Sequence, residues 1–173
     1  GALALANAQK EQNQIEQHIY ATTDNAYVVI EIGFGDYCEG IIHRDLPTSN
    51  VLFQAVGDHM DLKFDNPNIY FPEECYPSGV AHMNIFNHTI KNAGNLPTKS
   101  IVHLSFVDCI FSHALKGLNG AMQILVFSNC KGLTTFSGTN LNKCTLIDMG
   151  YAKNNHCVLQ DLNGLPPSLD LFA

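Results

Sequence analysis

Four apolar segments return at a constant spacing of about 21 residues, a period that marks a stacked repeat. They begin at Leu62, Met83, Leu104 and Leu125, and each carries a second apolar side chain two positions on: Phe64, Ile85, Phe106 and Phe127. Three of them are preceded, three residues earlier, by Val80, Ile101 and Met122. Alternation with period two marks a strand that buries one face. Repetition at the longer period marks a solenoid, because one such unit cannot bury its apolar face alone and must stack on its neighbours. Leu146 falls one period after Leu125 with a degraded pattern, Leu169-Asp170-Leu171 opens another unit, and Ile41 lies one period before Leu62.

The composition suits a packed domain. Apolar residues make up 46% of the 173 and charged residues 14%, which excludes a disordered chain. The net charge is −7 with nine Lys plus Arg and no basic run, which argues against a nucleic-acid partner. No apolar run approaches the ~18 residues of a spanning helix, so no membrane insertion is expected. Six cysteines (38, 75, 109, 130, 144 and 157) contain no C-x-x-C pair, and reduced, mostly buried thiols are expected.

One string argues for a different answer. His43-Arg44-Asp45-Leu46 followed by Asn50 matches a protein-kinase catalytic loop. A kinase also needs a glycine-rich phosphate loop, a strand lysine and a helix glutamate upstream. Gly33-Phe34-Gly35 lacks the third glycine, and Lys10 is the only upstream lysine. Asp148-Met149-Gly150 lies far past the place of a kinase's metal-binding Asp relative to Asp45, and no Ala-Pro-Glu follows. The string is coincidental, and His43, Arg44 and Asp45 are expected at the surface.

The units Leu104-x-Phe106-x-x-Cys109-x-Phe111 and their neighbours follow the strand template of a leucine-rich repeat, which the chain resembles over roughly residues 41–173. His88, Cys109 and Cys130, with Pro67 in the first unit, stand at the template's Asn position, whose side chain satisfies backbone groups in the bend. Leu96-Pro97-Thr98, Tyr76-Pro77-Ser78 and Leu165-Pro166-Pro167-Ser168 precede strands, as in short-period bacterial-effector (Leu-Pro-x) or FNIP-like repeats, and Leu46-Pro47-Thr48 reads as another copy. Proline there fixes extended backbone. Lys116–Ala121 is expected as a short helical return. A rival solenoid, a right-handed β-helix, is suggested by the even spacing of Phe136, Leu141 and Leu146, with Thr134, Thr139 and Cys144 two before each.

The fold expected is therefore an α/β leucine-rich repeat solenoid with a parallel concave sheet, the β-helix being the alternative. Residues 1–35 are expected as an N-terminal cap: a helix over 2–20 facing the core through Leu3, Ile15 and Ile19, then a strand at Tyr27–Ile32. Residues 36–173 form the array, which is expected to continue past its C-terminal end.

Stacking by the repeat period places Asp61, His82, His103, Ile124 and Thr145 in one outward column, Lys63, Asn84, Ser105, Val126 and Ile147 in a second, and Asp65, Phe86, Val107, Ser128 and Met149 in a third. The face is polar at its start and apolar from Phe86 onward. The expected binding residues are His82, Phe86, His103, Val107, Ile124, Val126, Ile147 and Met149, with a protein or peptide partner. Oligomerisation through the apolar face or the open C-terminal end is the competing use of that face. Two stacked histidines are too few for a zinc site, no nucleophile motif is present, and no metal, cofactor or catalytic residue is expected. The resemblance implies a non-catalytic protein-binding module, in the cytosol or delivered by secretion into a host cytosol. The alternative is a carbohydrate-active β-helix enzyme, or the recognition domain of a larger enzyme.

Overall fold

A computed structural model describes residues 14–20, 28–34, 37–45, 58–71, 76, 79–150 and 156–173, with 14–20, 28–34 and 38 defined by their backbone alone. Its main element is one sheet of nine strands: β1 (Gln14–Tyr20), β2 (Val28–Phe34), β3 (Tyr37–Ile42), β4 (His59–Phe64), β5 (His82–Phe86), β7 (His103–Val107), β9 (Ile124–Ser128), β10 (Leu146–Asp148) and β11 (Leu171–Phe172). β1, β2 and β3 pair antiparallel. From β3 onward every neighbour is parallel, so each strand is one rung of a coil that returns to the same side after each turn. A second parallel ladder, β6 (Thr89–Ile90) with β8 (Ile110–Phe111), continues as single bridges to Lys131 and His156. Bridges Ala114–Thr135 and Asn119–Asn140 tie a further side of the coil.

The chain is thus a parallel-strand solenoid, in the manner of the β-helix alternative rather than the leucine-rich repeat. The only helix among the described residues is a single 3-10 turn, Ala93–Asn95, capped by the Asn92 side chain, which accepts from the Gly94 amide. The expected helical cap is corrected where it can be compared: residues 14–20 form strand β1, in register with β2. The ready-made edge of β2 offers a hydrogen-bond partner to every second residue of β1, and such pairing overrides a weak helical propensity. Leu3 and the Leu46-Pro47-Thr48 connector lie outside the described residues. The expected helical return at Lys116–Ala121 is instead a turn followed by the Asn119 bridge.

Two columns of inward side chains fill the coil. Met60, Met83, Leu104, Leu125 and Ile147 form one, and Leu62, Ile85, Phe106 and Phe127 form the other, all 0% exposed. Burying each contributes about 1.5–3 kcal/mol before the entropy of ordering is counted. Phe106 stacks on Phe127 at 5.5 Å, and Phe111 packs edge-on against both.

The bend after each rung has its own ladder. Asn87, Asp108 and Asn129 stand at φ 58°, 55° and 51°, and in the bend after β10 Gly150 stands at φ 76°, one position earlier in register. Short polar residues and glycine tolerate this left-handed conformation. The Asn87 amide donates to the Phe64 carbonyl at 2.9 Å, and the Asn129 amide to Asp108 at 2.7 Å. In the next position the buried Cys109 and Cys130 thiols each donate to a carbonyl one turn back, Ile85 and Phe106, at 3.3 Å. Connectors are tied likewise: Ser100 donates to the Val80 carbonyl, Ser168 to that of Cys144, and Thr98 to that of Asn119. None of Cys109, Cys130, Cys144 and Cys157 forms a disulfide.

Spacing along the array is not constant. His82 pairs with His103, and His103 with Ile124, at the expected interval. The step from β4 to β5 is longer by two (His59 with His82), that from β9 to β10 by one (Ile124 with Leu146), and that from β10 to β11 by four (Leu146 with Leu171). A shift of one residue turns every side chain of a strand to its other face. Ile147, expected outward, is therefore in the core, and Leu146 faces out in its place. Met149 is likewise a core residue.

Candidate functional site

The outward face of β3, β4, β5 and β7 gathers a cluster of polar and aromatic side chains. Its first column is Tyr37, His59, His82 and His103, neighbours on successive parallel rungs. Tyr37 meets His59 edge-on with ring centroids 5.0 Å apart. His59 stacks on His82 at 4.1 Å and His82 on His103 at 4.0 Å, with planes within 14° of parallel. Parallel in-register pairing brings identical side chains face to face at about the 4.8 Å strand spacing, which suits flat rings.

The second column is Glu39, Asp61, Asn84, Ser105 and Val126. Asp61 is its hub. Its Oδ2 accepts from the Tyr37 hydroxyl at 2.7 Å and its Oδ1 from the Asn84 amide at 2.7 Å, with His59 Nε2 3.4 Å from Oδ1. The same Asn84 nitrogen lies 3.1 Å from His59 Nε2. His103 Nε2 and the Ser105 hydroxyl are 3.0 Å apart. The third column is Ile41, Lys63, Phe86, Val107 and Ser128. Lys63 reaches back to Glu39 at 3.2 Å and lies 5.1 Å from the centre of the Phe86 ring.

Burial, and after it the hydrogen-bonded Asp61 carboxylate, hold the Tyr37 phenol well above its ordinary pKa, so it stays a donor. Burial lowers the pKa of His82 and His103, and neighbouring histidines lower it further, His59 for His82 and His82 for His103. The His82 and His103 rings are therefore mainly neutral near pH 7. Each Asp61 oxygen accepts a hydrogen bond from a different strand, which makes the carboxylate the hub of this face. Among the described residues, no group of three or more His, Cys, Asp or Glu side chains has the arrangement to hold a metal ion.

Beyond β7 the same face becomes apolar. Val107, Ile124, Val126 and Leu146, all half-buried, make up most of it, with Ser128 beside Val107 and Asp148 beside Val126, before Leu171 at the last rung, more than half exposed. Of the eight residues expected to bind a partner, His82, Phe86, His103, Val107, Ile124 and Val126 share this face. Ile147 and Met149 do not, being buried.

Tyr37, His59 and Leu146 were missed by the constant spacing. The signal for His59 lay in a repeated dipeptide: His59-Met60-Asp61-Leu62 aligns with His82-Met83-Asn84-Ile85 on the next rung. The kinase-like residues are exposed, as expected, and work as local ties: His43 Nδ1 lies 2.6 Å from Asp65 Oδ2, and Asp45 accepts from the Tyr70 amide at 2.8 Å. Asp148 accepts from the Gly150 amide at 2.8 Å, an ordinary turn contact. No protein-family model, curated protein or solved structure matches the chain. No helix among the described residues is long and apolar enough to cross a membrane.

Proposed function

We propose that the outward face of the main sheet is a non-catalytic binding surface for a protein or peptide. One observation carries this reading: a single in-register sheet presents a prearranged polar ladder, His59-Asp61-His82-Asn84-His103, beside a half-buried, mainly apolar strip, Val107-Ile124-Val126-Leu146. Side chains held by stacking and hydrogen bonds lose little freedom on binding, and an apolar centre with a polar margin is the usual anatomy of a protein interface.

The test is selection of peptide binders on the immobilised protein, followed by affinity measurement on variants. Ile124→Asp and Val126→Asp each reduce affinity tenfold or more, about 1.4 kcal/mol, while the melting temperature holds. A control at the exposed Lys116 leaves affinity unchanged. Binders that ignore both apolar substitutions would remove the sheet face as the interaction surface.

A further inference from the structure

His59, His82 and His103 stack ring on ring at 4.1 and 4.0 Å, on three successive rungs of the outward face. The parallel register fixes their backbones at the strand spacing, whatever charge the rings carry. All three residues are half-buried, so protons reach the rings from the open side. The stack lies outside the core, against Tyr37 at one end and beside the polar column of Asn84 and Ser105.

The charges that face the stack come from β3 and β4. β3 brings Tyr37 and Glu39, and β4 brings Asp61 and Lys63, with the exposed Asp58 one residue before His59. Asn84 on β5, Ser105 on β7, and Ile124 and Val126 on β9 carry no charge. Lys63 is paired with Glu39, and the Tyr37 phenol stays protonated, which leaves Asp61 as the nearest counter-charge. Its Oδ1 lies 3.4 Å from His59 Nε2, so a proton on His59 has a partner. Among the described residues, His82 and His103 have no ion-pair partner. Burial lowers the pKa of both, and neighbouring histidines lower it further, while Asn84 and Asp61 raise that of His82 by less.

We propose that the stack is a pH-operated switch in the sheet face: closed near pH 7, and opened in mildly acidic solution with release of a peptide held there. The proposal rests on the sheet face being the binding surface. Neutral rings attract one another when stacked, whereas two imidazolium rings at 4.0 Å repel. Rotation of the side chains toward the open side relieves that repulsion without disturbing the core. The opened state binds more protons, so it gains as pH falls below about 6.5, the ordinary histidine value. A peptide that fits the closed ladder therefore binds tightest above that pH and loses the prearranged surface below it.

The experiment is an NMR titration of the full chain from pH 7.5 to 5, without and with a peptide selected on the protein at pH 7.5 and free of Asp, Glu and His. In the free chain, ring-to-ring contacts of His82 with His59 and His103 are present at pH 7.5 and vanish as His82 and His103 titrate. Signals of Phe106 and Phe127 hold, which separates opening from unfolding. The His88 ring is the internal control: burial, with Lys91 adding to it, keeps its pKa at about 4, so it stays neutral over this range. Peptide affinity falls at least tenfold from pH 7.5 to 5.5. His82→Phe keeps a flat ring in the middle of the column but separates the two remaining imidazoles, so its affinity falls less than threefold. Ring contacts that persist at pH 5 while His82 and His103 titrate overturn the switch. So does peptide binding that is lost in Val126→Asp yet unchanged between pH 7.5 and 5.5, which leaves the binding surface standing. Binding that ignores both Ile124→Asp and Val126→Asp overturns the surface and with it the release of peptide.

Discussion

Rungs β5, β7 and β9 differ from the rungs on either side of them, β4 before and β10 and β11 after. The central three repeat at one constant interval, carry matching bends at Asn87, Asp108 and Asn129, and place every side chain where that interval puts it. The longer flanking steps keep the strands parallel and in contact but change which residues share a column. A two-residue excess, as between β4 and β5, preserves faces and shifts partners; a one-residue excess, as between β9 and β10, exchanges inside for outside. Connectors absorb the difference in length, while the pleat admits no intermediate register.

The largest effect separates β9 from β10. Ile147→Asp puts an unpaired carboxylate in the core and should cost more than about 4 kcal/mol, enough to unfold the chain. Val126→Asp, one rung earlier on the outward face, should cost less than about 1 kcal/mol. Urea denaturation of the pair checks this, and equal costs would break the assigned register. Within the central rungs, Phe127→Ala should lose about 3–5 kcal/mol, since its 0% exposed ring packs against Phe106, Phe111 and Phe136.

An effect of similar size links pH to the bend after β5. The folded chain holds the His88 pKa at about 4, below the unfolded value near 6.5. In that window the unfolded chain binds more protons, so stability is complete above about pH 6.5, falls as pH drops, and levels off below about 4. The loss expected from His88 is roughly 3 kcal/mol. His82 and His103, also lowered, add to it in the same direction. Urea midpoints measured from pH 7.5 to 4 in the protein and in His88→Phe should show most of the slope removed by the substitution.

On the flanking rungs, Asp61→Ala strips the acceptor from Tyr37 and Asn84 and should cost about 1–2 kcal/mol. Smallest of all, Lys63→Met breaks a partly exposed ion pair with Glu39 and should change stability by less than about 1 kcal/mol. Thermal melts of the two variants rank these contributions, and a larger loss for Lys63→Met would displace Asp61 as the hub.

These contrasts also show what could be read from the residues alone. The solenoid, its parallel strands and the inward pairs Met83 with Ile85 and Leu104 with Phe106 were legible, because each rung repeats the same alternation at the same interval. The helix expected over residues 2–20 rested on propensity alone, which the edge of β2 overrides at Gln14–Tyr20. The leucine-rich template fitted the strand segments, but the described parts of the returns from strand to strand proved to be turns, short bridges and one 3-10 turn rather than α-helices. Four of the site's key positions, His82, His103, Ile124 and Val126, fell in regular units and were placed correctly. His59 and Leu146 fell in irregular ones, where the apolar pattern fits two registers and only a paired dipeptide such as His-Met distinguishes them.

The register of β4 against β5 carries both the histidine stack and the Asp61 hub, and cysteine pairing measures it directly. In His59→Cys/His82→Cys the two Cα atoms face each other across paired strands, about 4.8 Å apart, within reach of a disulfide. In Asp61→Cys/His82→Cys, the pair that constant spacing would align, they are offset by two residues and roughly 8 Å apart, beyond it. Mild oxidation followed by peptide mapping should find the intramolecular bridge in the first variant and not in the second. A bridge between positions 61 and 82, with none between 59 and 82, would contradict the assigned register and the outward face built on it.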